Sequence, residues 1–585
     1  MSSSMRTDNY SELVGDTWIT DWPTSERFPH YTRANAGEVL ANPVSPLGWT
    51  FGWDGGIVDG YRAGLIRLGA YEANDFDATN PETVACFGGY FYINLSAIRM
   101  QGVRNPDVTV ALLDAAFFGD HPDVPPYVAH PSDDKPHLEA AIRAHTEWVL
   151  SGPRWPQLTD DRADAAMLRH SRPDLSTLSD RELLDRARAA QARLPHLFSQ
   201  HVVSGSSAAM APGMLGAAVH GLEEPGLVMS LLSSLGDVDS ADASYALWEL
   251  SRIVRHDPPL TGSFDAGLPA SVEDLESPTF SAAWASFLHQ FGSRGPDEWD
   301  LASPTWETHP QLALAALDRV RLQADNESPS TRNANGRAVR HAALERVRHE
   351  LAGQPDLLAL FEGGVAASEM MAHRERTKTT IVRVLHEARM AVRELGRRHG
   401  HEVLVFQLLD AELDAYIVDP DSFTGTLEQR RSLWQHLFEL EPPFIIANAS
   451  VPPLSEWPRR HVGRTRPVSP GDVLQGVSGA PGIARGRVRV VLDPSEPGDL
   501  QPGDVLVAPN TDPSWTPLFM AAGAVVVDVG GQISHAVIVS RELGLPCAIS
   551  VTDASRRIPD GTPVEVNGNT GTVTILDDLP EGSSQ

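Results

Sequence analysis

One short segment of the sequence combines a strand, a glycine turn and an amphipathic helix. The β-branched strand Ala524–Val527 runs into a Gly530–Gly531 turn, and a helix is predicted over Ala536–Leu543, directly after Ser534 and His535. A strand, a glycine turn and a helix in this order aim backbone N–H groups and the positive end of a helix dipole at one point. The segment therefore predicts an anion site that contains a histidine.

His535 has two interpretations on these residues alone. An imidazole beside a helix N-terminus can accept a phosphoryl group and carry it as a phosphohistidine. Alternatively, the histidine only forms a hydrogen bond at the start of the helix, and the glycines serve the turn. The local pattern is compatible with both.

The region around this segment is rich in short strands separated by Gly and Pro. The predicted strands are Gly486–Leu492, Asp504–Ala508, Ala524–Val527, Ala548–Val551 and Thr570–Leu576. A single helix, the one after His535, is predicted among them. The Pro- and Arg-rich residues 451–471 are typical of a linker, so residues 472–578 are predicted to form a small domain that moves as a rigid body on a tether. Residues 579–585 are predicted to be a disordered tail.

The longer part of the chain is mainly helical. Residues 1–130 are rich in Gly, Pro and aromatic residues and contain a predicted strand at Tyr90–Leu95, whereas residues 131–450 show long helical periods. One such period, Ser179–His201, begins with the spacing of a capping box. The polar stretch Gln323–Arg340 interrupts the pattern and is predicted to be a mobile loop or a plain surface connection. The fold class is therefore multidomain α+β, with a largely helical central domain followed by a small β-rich domain.

Composition argues against several classes of protein. The chain has 77 acidic and 47 basic residues and a formal charge of -30, which disfavours binding to nucleic acid or to an anionic membrane surface. Cys86 and Cys547 are the only cysteines, too few for a disulfide framework or a cysteine zinc site. No signal sequence and no long apolar run is evident. We expect a cytoplasmic protein with no resident metal, no nucleic-acid partner and no membrane attachment.

Three ordered segments resemble the swivelling phosphohistidine domain of the PEP-utilising enzymes, which include phosphoenolpyruvate synthase, pyruvate phosphate dikinase and rifampin phosphotransferase. These segments are Gly479–Val491, Gly503–Phe519 and Ala522–Ser550. The resemblance implies a β/β/α domain in which His535 is phosphorylated and Gly530, Gly531 and Ser534 form its loop. Ile533 departs from the threonine usual in the synthase and dikinase members, although rifampin-phosphotransferase-like members also have an apolar residue there.

Three earlier segments resemble the substrate domain of the rifampin phosphotransferase branch. They are Thr32–Trp49, Phe291–Glu307 and His373–Arg389. The resemblance implies that Arg374 and Lys378, four residues apart on one helix face, contact the phosphoryl group and are catalytic together with His535. On the residue pattern alone, the same pair is a solvated basic face balanced by Glu375.

Two of these segments, Thr32–Trp49 and Phe291–Glu307, supply further candidates for binding the substrate. The candidates are Arg294, Glu298, Asp300, Glu38 and Asn35. The first three are equally typical of an internal ion-pair network, and the last two of capping or core packing. Ser293, Thr305 and His309 depart from the residues often found in relatives, which indicates a re-tuned site.

The leading hypothesis for function is half of a split phosphotransferase. Full-length relatives bind ATP through an ATP-grasp region, and this chain is expected to bind no cofactor by itself. Its Ser204–Ala208 string looks like a phosphate loop but continues without a lysine, and it is interpreted as helix-packing sequence. A separate ATP-grasp protein holding ATP and Mg²⁺ would charge His535, which delivers the phosphoryl group to a hydroxyl or carboxylate of a hydrophobic small molecule.

Two other functions remain open on the sequence. The first is an ATP-independent dehydratase, isomerase or cyclase of a hydrophobic secondary metabolite, with His535 as general acid and base and Arg374 and Lys378 holding an oxyanion. The second is a non-catalytic ligand-binding protein, which fits less well because the His535 loop is intact.

Overall fold

The computed structural model describes residues 17–77, 80, 82–105, 108–118, 123–222, 224, 226–236, 238–269, 271–325, 328–460, 467–494, 498–531 and 534–579. They form a multidomain α+β protein in which a largely helical part precedes a small sheet-based domain. The predicted tail, apart from Leu579, and the departure at Ile533 lie outside the described residues.

The helical part is built from these elements. The α-helices are α1 Ala36–Val39, α2 Val58–Arg67, α3 Leu95–Arg104, α4 Val110–Phe118, α5 Glu139–Leu150, α6 Pro156–His170, α7 Asp180–Gln191, α8 Leu194–Ala208, α9 Met210–Val219, α10 Leu227–Leu231, α11 Asp239–His256, α12 Pro258–Asp265, α13 Pro278–Phe291, α14 Gln311–Val320, α15 Pro329–Glu350, α16 Pro355–Ser368, α17 Met370–Arg398, α18 Leu413–Tyr416 and α19 Thr424–Leu437. A π-helix spans Gly48–Ile57, and the strands are β1 Tyr31–Thr32, β2 Val84–Phe87, β3 Tyr90–Asn94 and β4 Ile445–Ile446.

The small domain has its own strands and helices. They are β5 Val473–Gln475, β6 Val477–Ala480, β7 Ile483–Val490, β8 Val505–Ala508, α20 Thr516–Ala521, β9 Ala524–Val527, α21 His535–Leu543, β10 Cys547–Ile549, α22 Ala554–Arg557, β11 Pro563–Asn567 and β12 Thr572–Ile575. The sheet order is β5-β12-β11-β7-β8-β9-β10-β6. Neighbouring strands from β7 to β10 are parallel. The prediction of a single helix is wrong, because α20 and α22 are too short to show a helical period in the sequence.

The first sheet joins the two ends of the helical part. Its order is β2-β3-β1-β4, so β4, which follows the last long helix, pairs with β1 near the start. The hydrophobic core below it runs from Phe28 to Leu427 and includes Trp49 and Trp53. This cluster draws residues from both 1–130 and 131–450, which agrees with the expectation that residues 1–130 are the N-terminal part of the substrate domain. The predicted strand Tyr90–Leu95 is observed as β3.

The long helix α17 forms the spine of this body. It has 29 residues and packs against α6, α7 and α8. Nineteen of its residues are buried, among them Lys378, His386 and Arg389. Polar side chains on an otherwise apolar buried face need partners, so this helix marks where a polar site lies inside the fold.

One stretch of successive helices is both long and apolar. Asp180–Leu222, where α7, α8 and α9 follow one another, is long and apolar enough to cross a membrane by length and composition, and 50% of its most apolar window is buried inside the fold. Phe198 and Val202 of this stretch belong to the hydrophobic core. A core helix passes the same test, so the feature is weak evidence for a membrane span.

The first half of the predicted linker is not a free tether. Trp457 is 5% exposed and its ring lies 5.9 Å from that of Tyr90. Arg460 donates to the backbone oxygen of Ala41 and to Asn42 Oδ1. These contacts fix residues 451–460 to the helical part, and residues 461–466 lie outside the described part of the chain.

The small domain is docked on the helical part. The predicted loop Gln323–Arg340 is wrong for most of its length, because Ser328 caps α15 and Pro329 begins it. Asn333 of α15 donates to Glu542 Oε2 of α21 at 2.9 Å. Sequence periodicity missed this helix because its first turns face solvent and the small domain.

Candidate active site at the domain junction

His535 lies where the parallel strands of the small domain end. β8 leads to Thr511 and β9 leads through the glycine turn to His535, the first residue of α21. Carboxyl ends of parallel strands meet at one edge of a sheet, the usual position of a binding site in such sheets. Ser534 is the extended N-cap residue, and its buried Oγ has no hydrogen-bond partner in the described part of the chain. A Cβ on Gly530 would lie 3.3 Å from this Oγ, so the first glycine keeps the loop tight.

Two threonines hold the His535 imidazole. Nδ1 is 3.3 Å from Thr511 Oγ1 and Nε2 is 3.2 Å from Thr516 Oγ1, and the ring meets the Phe519 ring edge-on at 5.8 Å. A neutral imidazole has one N–H and one lone pair, so one hydroxyl accepts and the other donates. The threonines thereby orient both ring nitrogens.

Burial and nearby cations hold the pKa of His535 well below its usual range. Burial has the largest effect, Lys378 is the strongest charged contributor, and Arg294 and Arg374 act in the same direction against Glu375. A histidine with such a pKa is neutral at pH 7, and one of its ring nitrogens carries no proton. The residue can therefore act as a nucleophile without first losing a proton.

Three cations from the helical part face this imidazole. Lys378 Nζ lies 3.9 Å from Glu298 Oε1, and Arg294 Nε lies 3.4 Å from Glu298 Oε2. Arg374 Nη1 pairs with Glu375 at 2.5 Å. The Arg294 terminal nitrogens are buried and have no hydrogen-bond partner in the described part of the chain. Buried guanidinium donors of this kind fit an anion with several acceptor oxygens.

Glu38 and Asn35 lie at the seam between the domains. Asn35 Nδ2 is 3.5 Å from Glu38 Oε2, and the neighbouring Gly37 carbonyl accepts a hydrogen bond from Asn510 of the small domain at 2.8 Å. Burial raises the pKa of Glu38 to about 7, against the opposing effects of Arg374, the Gly531 backbone, Asn35 and Lys378. Glu38 thus joins the histidine loop to the cation cluster.

A largely apolar cavity of about 280 Å³ opens beside this cluster. Aromatic side chains form much of its wall, and the polar lining includes Asn35, Gln101, His145, His201 and Arg374. Because Arg374 and Asn35 line the cavity and also contact the charged cluster, a molecule held there would present one end to the cations.

Asp300 is not among the residues that line the cavity, but it supports the cavity wall through its contact with Ser45. Its carboxylate accepts from Ser45 N at 3.1 Å and from Ser45 Oγ at 2.5 Å, and burial raises its pKa to about 6. Ser45 precedes the π-helix, which carries the lining residue Trp53. Both carboxylate oxygens serve the backbone turn at Ser45, which gives Asp300 a structural role, and its predicted role in substrate binding stays a prediction.

Arg294 and Glu298 fit both of their predicted roles. They form an ion pair, as the network interpretation expects, and they also face Lys378 and His535. Arg389, which the sequence did not single out, donates to the carbonyls of Leu301, Glu298 and Asp300. It holds the loop that carries the pair.

The other departures from the family pattern have local roles. Thr305 hydrogen bonds to Thr308, whose hydroxyl lies 2.9 Å from His309 Nδ1. Ser204 and Ser207 lie inside α8 and donate to helix carbonyls at 3.0 and 2.7 Å, in agreement with a helix-packing role. In the described part of the chain, His, Cys, Asp and Glu side chains form no group of three or more that could hold a metal ion.

Sequence reasoning missed several polar residues of the site. Thr511 and Thr516 lie within the quoted stretch Gly503–Phe519, but nothing in their spacing showed that both reach one imidazole. His201 lines the cavity, bonds to Thr377 at 3.0 Å, and has its pKa lowered by burial and Arg374 to about 3. Its helical period is that of an ordinary core residue, so the sequence carried no signal.

Two family models match the chain at the two halves of this site. Residues 198–379 match the rifampicin phosphotransferase fourth domain, and residues 500–571 match the mobile domain of PEP-utilising enzymes. These two parts of the chain are therefore similar to domains of the PEP-utilising enzyme family, in its rifampicin phosphotransferase branch. The first match contains Arg374 and Lys378, and the second contains His535.

Relatives in this family extend the similarity along the chain. An uncharacterized protein of Mycobacterium tuberculosis is 28% identical over 582 residues, covering 95% of this chain and 62% of the relative. The prodigiosin synthesizing transferase of Serratia marcescens is 29% identical over 629 residues, covering 96% of this chain and 65% of the relative. The rifampicin phosphotransferase of Streptomyces sviceus is 29% identical over 373 residues, 59% of this chain and 40% of the relative. The chain thus spans less than two thirds of the length of these relatives.

Proposed function

We propose that His535 carries a phosphoryl group to a small molecule held in the apolar cavity. The phosphoryl group comes from ATP with Mg²⁺ through an ATP-grasp partner, and the acceptor is a hydroxyl or carboxylate on a hydrophobic body. The names of the Streptomyces and Serratia relatives, a rifampicin phosphotransferase and a prodigiosin synthesizing transferase, support transfer to a small molecule.

The observation that carries the proposal is the position of one neutral histidine among three cations. His535 belongs to the small domain, and Lys378, Arg294 and Arg374 belong to the helical part. A nucleophilic lone pair beside donors for a dianion is what a phosphohistidine requires. Arg374 also lines the cavity, so the same cation reaches both the carrier and the acceptor.

The cations would stabilise the transfer step. Phosphoryl transfer spreads negative charge over three equatorial oxygens while the entering and leaving atoms stay in line. As the acceptor oxygen bonds to phosphorus, the P–N bond breaks and its electron pair returns to the imidazole nitrogen. Lys378 and the unpaired nitrogens of Arg294 would neutralise the oxygens, and Thr511 and Thr516 would keep the ring aligned.

Glu38 would take the proton from a hydroxyl acceptor. A general base works best when its pKa is close to the ambient pH, and burial places the pKa of Glu38 at about 7. Its partner Asn35 lines the cavity, and the carboxylate itself contacts the Gly531 backbone of the histidine loop. A carboxylate acceptor has no proton to lose and would not need this residue.

The acid–base alternative is less well supported by the geometry. A histidine with a pKa well below 6.5 is a weak base and is rarely protonated at neutral pH, so it suits neither half of acid–base catalysis. The same low pKa lowers the basicity of the ring nitrogen but leaves it unprotonated, as attack on phosphorus requires.

Chemical phosphorylation tests the carrier role without a partner protein. Phosphoramidate, a small phosphoryl donor, should label the purified chain on the peptide that contains His535, and the label should be acid-labile and alkali-stable. His535→Ala should lose it, while His137→Ala, which removes a histidine whose side chain is 62% exposed, should retain it. Equal labelling of wild type and His535→Ala would refute the carrier role.

The donor and the reaction type need a second experiment. An ATP-grasp partner and ATP labelled at the β or γ phosphate should restore the same label on wild type and not on His535→Ala. If the chain alone converts its substrate at full rate in nucleotide-free buffer, with no phosphorus in the product, His535 is an acid–base residue and the proposal is wrong.

A further inference from the structure

A second cavity of about 310 Å³ lies beside α17, and none of its lining residues lines the apolar cavity. Helices α6, α13 and α17 and the residues just after α13 form its walls. Its lining includes Arg162, Arg169, His289, Ser293, Arg383 and Glu387. It is therefore a separate, polar compartment of the helical part.

Positive charge predominates on the walls of this cavity. The lining has three arginines and one carboxylate, that of Glu387. Arg186 donates to Glu387 Oε2 at 2.9 Å, and Arg169 and Arg172 each lie 3.8 Å from Oε1. Arg169 also pairs with Glu307 at 2.8 Å, so the lining cation that adds uncompensated charge to the cavity is Arg383.

Arg383 is the least compensated of these cations. It is half-buried and makes no hydrogen bond or ion pair in the described part of the chain. Burial is the largest cause of its lowered pKa; the charge of Arg162 lowers the pKa further, and Asp239 acts in the opposite direction. Asp239 is itself 3.4 Å from Arg162. A buried guanidinium that faces like charges gains most from an added anion.

The cavity is close to the reaction site and open to solvent. Arg383 follows Lys378 by five residues on α17, a rise of about 7.5 Å. Ser293 lines the cavity while its neighbour Arg294 faces His535. The lining residue His289 is exposed, and the Arg162 side chain is 32% exposed, so a solute can enter without passing through the apolar cavity.

We propose that this cavity is a second binding site, for the phosphate group of a soluble molecule. Guanidinium groups bind phosphate through paired N–H donors, and the Ser293 hydroxyl and the His289 ring add donors on the same wall. A phosphate accepts more hydrogen bonds than a carboxylate, which fits donors from Arg383 and the partly exposed Arg162 around one space. The ligand is either inorganic phosphate or the phosphate end of a larger molecule.

Calorimetric titration of the full chain tests this site. Inorganic phosphate, phenyl phosphate and acetate are titrated at constant ionic strength against wild type, Arg383→Gln, Arg162→Gln, Lys378→Gln and Arg397→Gln. Arg397 is the matched control, because it removes a guanidinium from the exposed side of the same helix. Loss of Arg383 or Arg162 should weaken this phosphate binding about tenfold or more, while Arg397→Gln binds as wild type does and Lys378→Gln leaves the Arg383-dependent binding in place.

The possible results distinguish free phosphate from a phosphorylated organic molecule as the ligand, and this cavity from the reaction site as the place of binding. Tight binding of inorganic phosphate supports free phosphate as ligand, and binding of phenyl phosphate alone supports a phosphorylated organic molecule. Sensitivity to Lys378→Gln without sensitivity to Arg383→Gln would assign the anion to the reaction site and overturn the inference. Two other results would also overturn the inference: acetate binds as tightly as phosphate, or phosphate binds no more tightly than chloride. If Arg383→Gln fails to fold, Arg162→Gln decides, because that side chain is partly exposed.

Discussion

Replacing Lys378 with methionine should raise the pKa of His535. Lys378 is the strongest charged contributor to the lowered pKa, after burial. A like charge at close range shifts a pKa by about one to three units, and each unit corresponds to about 1.4 kcal/mol. Methionine keeps most of the length of the chain, so burial of the imidazole persists and its pKa should stay below the ordinary histidine value. The expected rise is therefore about one unit or more, short of full normalisation.

Ring-nitrogen NMR of histidine-labelled protein, titrated from about pH 4 to pH 8, measures this shift directly. The chain has 21 histidines, and the spectrum of His535→Gln identifies the signal. Lys378→Arg keeps the charge and is the control, so its titration should resemble wild type. An unchanged titration of His535 in Lys378→Met would refute the inference that this ammonium group faces the imidazole.

The same pKa has a consequence for stability. A folded-state pKa below the unfolded value means that the unfolded chain binds the extra proton as pH falls through the unfolded pKa near 6.5. His535 therefore contributes stability above that pH, and the contribution is lost as the solution is acidified. In Lys378→Met this acid-induced loss should be smaller than in wild type, which urea denaturation at two pH values can measure.

Three further outcomes are expected. Arg374→Ala should lower kcat about tenfold or more with little change in melting temperature, because it removes a charge-assisted contact to the reacting group; a pure loss of stability would return the residue to a structural role. Glu38→Gln should abolish the rise in kcat through about pH 7 that an ionising base gives, and a retained limb would mean that another group titrates. Glu542→Ala removes the acceptor of Asn333 and of the Leu235 amide, which join the helical part to the small domain. Small-angle scattering should therefore give a larger mean radius of gyration than for the control Glu565→Ala, which changes the sheet away from this contact. Equal radii would mean that this contact does not hold the small domain.

The sequence identified the candidate reacting residues better than their surroundings. His535, Arg374 and Lys378 were recognised because each belongs to an ordered motif, and the structure brings them together across the domain junction. Thr511 and Thr516 were not, because their contact with the imidazole depends on how β8 and α20 lie beside β9. Such contacts follow from sheet order, which a single sequence does not reveal.

Errors in the predicted fold have a common physical origin. Gln323–Arg340 lacks apolar periodicity because α15 buries polar Asn333 against Glu542 instead of an apolar stripe. Residues 451–460 look like a linker, yet Trp457 and Arg460 anchor them to the helical part. In both cases a tertiary partner distant in sequence determined the outcome.

The docked interface limits how the small domain can move. Apolar side chains of α20, among them Leu518 and Phe519, share one hydrophobic cluster with residues of α11–α14 such as Trp248 and Phe287. Thr516, which holds the His535 ring, is the first residue of α20. Undocking between α20 and these helices would expose that apolar surface, at roughly 25 cal/mol per Å². A carrier histidine that visits a second site therefore needs either an apolar surface there to cover α20, or helices α11–α14 that travel with the small domain.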